Sequence, residues 1–219
     1  MLESVLFDCD GVVVDSETAY LASVCDHLAE LGVAVAPSEV SGLVGMRTER
    51  ILAQQRSWFP ALSTLTDEEI LVRQRALFAE RRAREPLRLM PGVREVFESL
   101  AGRGVACALV SSSSLDYLDG LIATHGLSGL FAEVVSGEEV RESKPDPEIY
   151  LTALARLGLS ADEAVAVEDS PNGIAAARAA GLDVVGFKGS ELRLDTSCAT
   201  VEVCSHAELG RYLNERLRG

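Results

Sequence analysis

The apolar run Ser4-Val-Leu-Phe7 stops abruptly at Asp8-Cys-Asp10-Gly11, and that stop constrains the chain more than any other stretch. On an extended backbone, an i, i+2 spacing puts the Asp8 and Asp10 side chains on one face. Gly11 follows at once and allows a turn that a residue with a Cβ would resist. A strand end with merely solvated acids has the same local pattern. What the pair means therefore depends on what other strand ends bring to it.

Residues 16 to about 88 read as helical throughout, with no convincing strand. Leu21, Val24, Leu28 and Leu31 recur at 3–4 spacing, and Gly32 follows as a stop. Thr66-Asp-Glu-Glu69 forms a capping box that opens a second long helix, with Ile70, Leu71, Leu77 and Phe78 on its apolar face. Its other face carries Arg73, Arg75, Arg81, Arg82 and Arg84, either a solvated face paired with glutamates or a substrate-facing one. After Pro91-Gly92 the pattern alternates between helix and strand. Val105 to Val110 and Ala164 to Val167 are continuous apolar runs, as strands buried on both faces should be. A brief strand is expected at Val134-Val135, another strand at Asp183 to Phe187, and a weaker one near Val201 to Cys204. The fold class predicted is α/β: a Rossmann-like, doubly wound parallel sheet formed by residues 1–15 and 89–219, with an inserted helical domain over 16–88.

A chain of 219 residues suffices for one good core with a smaller satellite. Its formal charge of −14 argues against a nucleic-acid or anionic-membrane surface, and means that an anionic substrate needs a local cation. The five cysteines, Cys9, Cys25, Cys107, Cys198 and Cys204, are scattered and lack a C-x-x-C pair. They read as reduced thiols of a cytoplasmic protein. No signal-peptide pattern and no apolar run of membrane-spanning length is present.

In open α/β sheets, ligands bind beyond the carboxyl ends of strands. Four expected strands bring polar residues there: Asp8 and Asp10, Ser111-Ser-Ser-Ser114, Lys144-Pro145 in the loop after the third, and Glu168-Asp169. Ser113-x-x-Asp116 is expected to cap a helix, leaving the Ser111 hydroxyl and nearby N–H groups to face an anion such as phosphate; a plain N-cap is the other reading. Lys144 precedes a proline, which favours an extended backbone and a fixed direction for its ammonium. Two further carboxylates beside Asp8 and Asp10 would repel unless a divalent cation sat among them, and a hard ion such as Mg²⁺ suits carboxylate oxygens. Alternatively, Glu168 and Asp169 separate and only cap the helix that opens at Ser170-Pro171.

In the order Asp8-x-Asp10-Gly11, Ser111, Lys144-Pro145 and Glu168-Asp169, the chain resembles the haloacid dehalogenase-like hydrolase superfamily over nearly its whole length. The helical insert looks like the cap domain of the β-phosphoglucomutase-like branch. Phe7-Asp-Cys-Asp-Gly11, Asp15-Ser-Glu17 and Lys144-Pro-Asp-Pro147 look like that branch's phosphatases. The resemblance implies Asp8 as nucleophile, forming an aspartyl-phosphate, and Asp10 as general acid and base. It implies Mg²⁺ held by Asp8, the Asp10 backbone carbonyl and Asp169, with Glu168 ordering water there or serving as a further ligand. Ser111 and Lys144 would bind the transferring phosphoryl oxygens. Ser112 and the cap residues Arg47, Thr48, Glu49 and Arg73 are the candidates for substrate recognition, with hinges at about 13–17 and 84–92.

The function expected from the resemblance is Mg²⁺-dependent hydrolysis of a small phosphomonoester, a sugar phosphate or a nucleotide-like 5-phosphate. The acid at Asp10 argues against dehalogenation. A sugar-phosphate mutase is the alternative. Mutases of this branch typically carry a histidine near Tyr20, an arginine in the cap loop at Gly45 to Glu49 and a lysine where Ser114 stands, and these departures favour hydrolysis. Arg47, displaced by one, and Arg73 keep the mutase open. A non-catalytic phosphate-binding regulator would lack a nucleophile or an acid, and both are present. The expected assembly is a monomer or a homodimer.

Overall fold

The computed structural model describes residues 2–43, 48–189 and 194–218. The chain opens with β1 (Ser4–Phe7), turns through β2 (Val14–Asp15), and continues as α1 (Glu17–Glu30), α2 (Pro37–Val40), α3 (Thr48–Trp58) and α4 (Asp67–Arg84). β3 (Arg88–Leu89) leads back to α5 (Val93–Ala101), β4 (Ala106–Ser111), α6 (Leu115–Thr124) and β5 (Glu133–Ser136). There follow α7 (Glu148–Leu157), β6 (Ala164–Glu168), α8 (Pro171–Ala179), β7 (Asp183–Phe187), β8 (Val201–Val203) and α9 (His206–Arg216). Two compact units result: Met1–Val14 with Leu89–Gly219, and Asp15–Arg88. The chain passes between them in β2 and β3, a two-stranded pair that the sequence did not announce.

The first unit is a six-stranded sheet in the order β5-β4-β1-β6-β7-β8, with every pairing parallel. β1 is central, and all four of its residues are buried. Alternation along the strand sends neighbouring side chains to opposite faces. Leu6 joins a core with Val110, Ile149, Tyr150, Ala153 and Ile174, drawn partly from α7 and α8. Phe7 meets Phe97 of α5 edge-on, with ring centroids 4.9 Å apart. Helices on both faces explain why β4 and β6 are apolar without alternation. The register pairs Phe7 with Leu109 and with Val167, so β1, β4 and β6 finish side by side.

In the helical unit α1 packs on α4. Thr66 and Glu69 form the expected capping box: the Glu69 N–H donates to Thr66 Oγ1 at 3.2 Å, and the Thr66 N–H to Glu69 Oε2 at 2.7 Å. The arginine face of α4 is tied to α1: Arg81 donates to Asp26 at 2.5 and 2.8 Å, and Arg73 to Glu30. Beneath them Gln74 donates to Gln55 at 2.7 Å and lies 3.5 Å from His27 Nδ1, a polar network inside a small apolar core.

Candidate active site

Asp8 follows β1 directly, and its N–H donates to the Val167 carbonyl at 3.0 Å, extending the ladder to β6 by one residue. The chain then reverses tightly: the Gly11 N–H donates to Val14 O at 2.8 Å, and the Val13 and Val14 N–H groups to Cys9 O. Gly11 has φ +80°, which favours glycine. A second constraint acts at the same place, since a Cβ on Gly11 would stand 1.9 Å from Asp169 Oδ2. The missing side chain lets the Asp169 carboxylate lie against the turn that carries Asp8 and Asp10.

Lys144 joins the strand ends. Its Nζ donates to Asp8 Oδ1 at 2.7 Å, to Glu168 Oε1 at 2.7 Å and to the Val110 carbonyl at 3.0 Å. An ammonium has three protons, and all three are placed. Glu168 is wholly buried; its Oε1 also accepts from the Tyr150 hydroxyl at 2.5 Å, and its Oε2 from Ser170 Oγ at 3.3 Å. A Cβ at Gly173, in the first turn of α8, would lie 2.0 Å from this carboxylate. The Ser170-Pro171 start of α8 is as expected, with Ser170 Oγ accepting from the Gly173 N–H at 3.1 Å.

Asp8, Glu168 and Asp169 each offer an oxygen within 4.8 Å of the others. Among the described residues, the three carboxylates of this cluster are set against the Lys144 ammonium, which leaves excess negative charge in a buried place. Burial first, and then the Glu168 charge, push the Asp8 carboxyl up to about 7 against the opposing pull of Lys144. Burial disfavours the Lys144 charge too, but Asp8 and Glu168 hold the ammonium well above its ordinary value. An all-oxygen donor set with excess negative charge fits a hard divalent cation. Glu168 is the least available member, being already engaged by Lys144, Tyr150 and Ser170.

Asp10 is held from the side of α6. Its Oδ1 accepts from the Tyr117 hydroxyl at 2.9 Å, and its Oδ2 from Ser113 Oγ at 3.0 Å. This corrects the expected helix cap: α6 starts at Leu115 with Ser114 as its N-cap, and the Ser113 hydroxyl serves Asp10 instead. The Leu115 N–H donates to Glu138 Oε2 at 3.0 Å. Ser111 is buried and its Oγ accepts from the Ser113 N–H at 3.1 Å. Ser112 Oγ accepts from Ser143 Oγ at 3.3 Å.

Asp8, Asp10, Ser111, Lys144, Glu168 and Asp169 thus gather at one edge of the sheet. The remaining candidates belong to the helical unit. Arg47 lies outside the described residues. Thr48 and Glu49 are exposed at the start of α3. Arg73 is paired with Glu30 and Glu80. Tyr150, Ser113 and Tyr117 were missed from sequence. Tyr150 sits at a helix position that reads as core, and a tyrosine one turn inside α6 carries no motif signal.

The family described as haloacid dehalogenase-like hydrolase matches residues 2–181. Hexitol phosphatase B of Escherichia coli (strain K12) is 30% identical over 210 residues, covering 93% of this chain and 92% of that protein. A haloacid dehalogenase-like protein of unknown function from Agrobacterium tumefaciens superposes with a TM-score of 0.83 at 28% identity, over 99% of this chain and 100% of the other. CbbY from Rhodobacter sphaeroides, solved in complex with phosphate, superposes with a TM-score of 0.74 at 27% identity, over 96% and 97%.

Proposed function

Because this chain belongs to the haloacid dehalogenase-like hydrolase family, we propose that it is a divalent-cation-dependent phosphatase acting on a small phosphomonoester through an aspartyl-phosphate. The observation that carries this reading is the Asp8 carboxylate: strand-end, nearly out of solvent, oriented through one oxygen by Lys144, and within 4.8 Å of Asp169 and Glu168. A group packed only for stability would not be set among like charges at a sheet edge where ligands bind.

The Asp8 carboxylate attacks phosphorus in line, and the bond from phosphorus to the ester oxygen breaks. Asp10 gives the leaving alcohol its proton. Asp10 then takes a proton from the water that cleaves the aspartyl-phosphate, releasing inorganic phosphate and restoring Asp8. Such acid–base help is worth on the order of 10²–10⁴-fold. Lys144 fixes the nucleophile's orientation and supplies positive charge beside the transferring group, while the Ser111 hydroxyl and neighbouring N–H groups line the same edge. Asp8, the Asp10 carbonyl and Asp169 would hold Mg²⁺, whose charge would stabilise the phosphoryl oxygens and favour the ionised form of Asp8. Glu168 anchors Lys144.

A sugar or polyol monophosphate is the substrate class we favour, since the hexitol phosphatase relative covers this chain almost end to end. A nucleotide-like 5-phosphate is the other class the reading admits. The departures from the mutase pattern at Tyr20 and Ser114 favour release of phosphate over its transfer to a second position. The five cysteines are all free, in keeping with a reducing, cytoplasmic compartment. No helix among the described residues is long and apolar enough to cross a membrane.

The test is phosphate release from sugar, polyol and nucleoside monophosphates with Mg²⁺ and then with chelator, using Asp8→Asn as control. Release lost with chelator and in Asp8→Asn is expected. Interconversion of phosphates without release would replace the phosphatase by the mutase. Near-wild-type turnover in a folded Asp8→Asn variant would remove the nucleophile assignment.

A further inference from the structure

We propose that Tyr117 is the positioning residue for the general acid, holding the Asp10 carboxylate where it can protonate the leaving alcohol, with Ser113 as the second anchor. The proposal rests on the phosphatase reading above. Asp10 stands in a turn and is only half-buried, so nothing on its own element fixes its side chain. Both of its oxygens are instead met by donors from one short stretch: Tyr117 on Oδ1 at 2.9 Å and Ser113 on Oδ2 at 3.0 Å. Ser113 precedes the Ser114 N-cap and Tyr117 lies in the first turn of α6, so both donors come from the N-terminal end of that helix.

The clamp is itself held. The Ser113 carbonyl accepts from Ser136 Oγ at 2.7 Å, and its N–H donates to Ser111 Oγ at 3.1 Å. Ser113 therefore cannot drift without disturbing the ends of β4 and β5. Tyr117 adds a rigid ring with few torsions to order. It approaches through its hydroxyl from the first full turn of α6, whose start is tied to Glu138. Using a serine and a tyrosine to orient one partly exposed carboxylate has no obvious packing purpose. It does serve proton transfer, where a displacement of about 1 Å lowers rate on the order of 10²-fold.

The experiment compares two substrates by leaving group. A phenolate departs from an aryl phosphate without needing a proton, whereas an alkoxide from a polyol phosphate needs one. Tyr117→Phe, which removes only the hydroxyl, is expected to lower kcat on the polyol phosphate by about 10-fold or more. The aryl phosphate should change by less than about 3-fold and KM should hold for both, because no acid is required there. Asp10→Asn sets the limit of the same pattern. Ser113→Ala should move in the same direction, and the double variant should approach Asp10→Asn. Equal losses on both substrates would mean a structural role, and unchanged kinetics on both would mean no role; either overturns the proposal. If wild-type and Asp8→Asn protein release phosphate equally from both substrates, the phosphatase reading itself falls and takes the proposal with it.

Discussion

The Lys144 ammonium lies 2.7 Å from the carboxylate of Glu168, a residue with no exposed surface, and reaches Asp8 at the same distance. The Lys144 ammonium is thus shared between the proposed nucleophile and a carboxylate that never meets solvent. Removing either partner of Lys144 and removing Lys144 itself are therefore unequal perturbations.

Lys144→Met should destabilise the protein by about 3–5 kcal/mol, because it leaves buried carboxylates with no counter-charge. Glu168→Gln should lose only about 1 kcal/mol, since the amide oxygen still accepts from Tyr150 and one repulsive charge is gone. Urea melts of both variants without divalent cation would show the asymmetry. Equal losses would mean that the excess negative charge is not felt in the fold.

Gly11→Ala should be worse than its size suggests. The backbone there has φ +80°, and the added Cβ would stand 1.9 Å from Asp169 Oδ2. Strain of about 1–2 kcal/mol is expected from the backbone alone. Displacement of Asp169 should abolish any Mg²⁺ response. A variant that kept both stability and response would show that Asp169 has room to move.

Mg²⁺ should stabilise the wild-type protein against heat. At about 100 times its Kd, a cation binding only the folded state contributes about 2.7 kcal/mol. Asp169→Asn should lose most of this shift while still folding. Thermal melts with and without Mg²⁺ read it directly, without any need for substrate.

His206 makes the core acid-sensitive. It is buried against Phe187, with ring centroids 4.4 Å apart, and burial lowers its pKa to about 4 against weaker opposition from Glu95. The unfolded chain takes up this proton below a pH of about 6.5, while the folded chain does so only near 4. Stability is therefore complete above that window and is lost as pH falls through it, at up to about 1.4 kcal/mol per pH unit and about 3 kcal/mol in all. The difference in unfolding free energy between wild type and His206→Gln, followed from pH 7.5 to 4, isolates this group. A constant difference across the window would refute it.

Much of the site was legible because its residues sit at strand ends, where a run of apolar letters breaks into charge. Asp8, Ser111 and Glu168 each end such a run, and Asp10 and Asp169 follow within two residues. The parallel register then brings those ends together. The capping box at Thr66 and the start of α8 at Ser170-Pro171 were readable for the same reason: each depends on neighbours within three residues. Ser113 was misread as a cap because its actual partner, Asp10, is 103 residues away in the chain and no local motif marks the pair.

The sequence alone determined the alternating pattern, and with it the parallel sheet, the helical insertion and the set of acids at its edge. These follow from periodicity and local backbone chemistry, which act over a few residues. Only the tertiary structure decided how those groups are used: that Lys144 divides its protons between Asp8, Glu168 and Val110, that Tyr150 and Gly173 enclose Glu168, and that Tyr117 and Ser113 hold Asp10. Each of these contacts joins elements far apart in the chain, and its geometry exists only once strands and helices have packed.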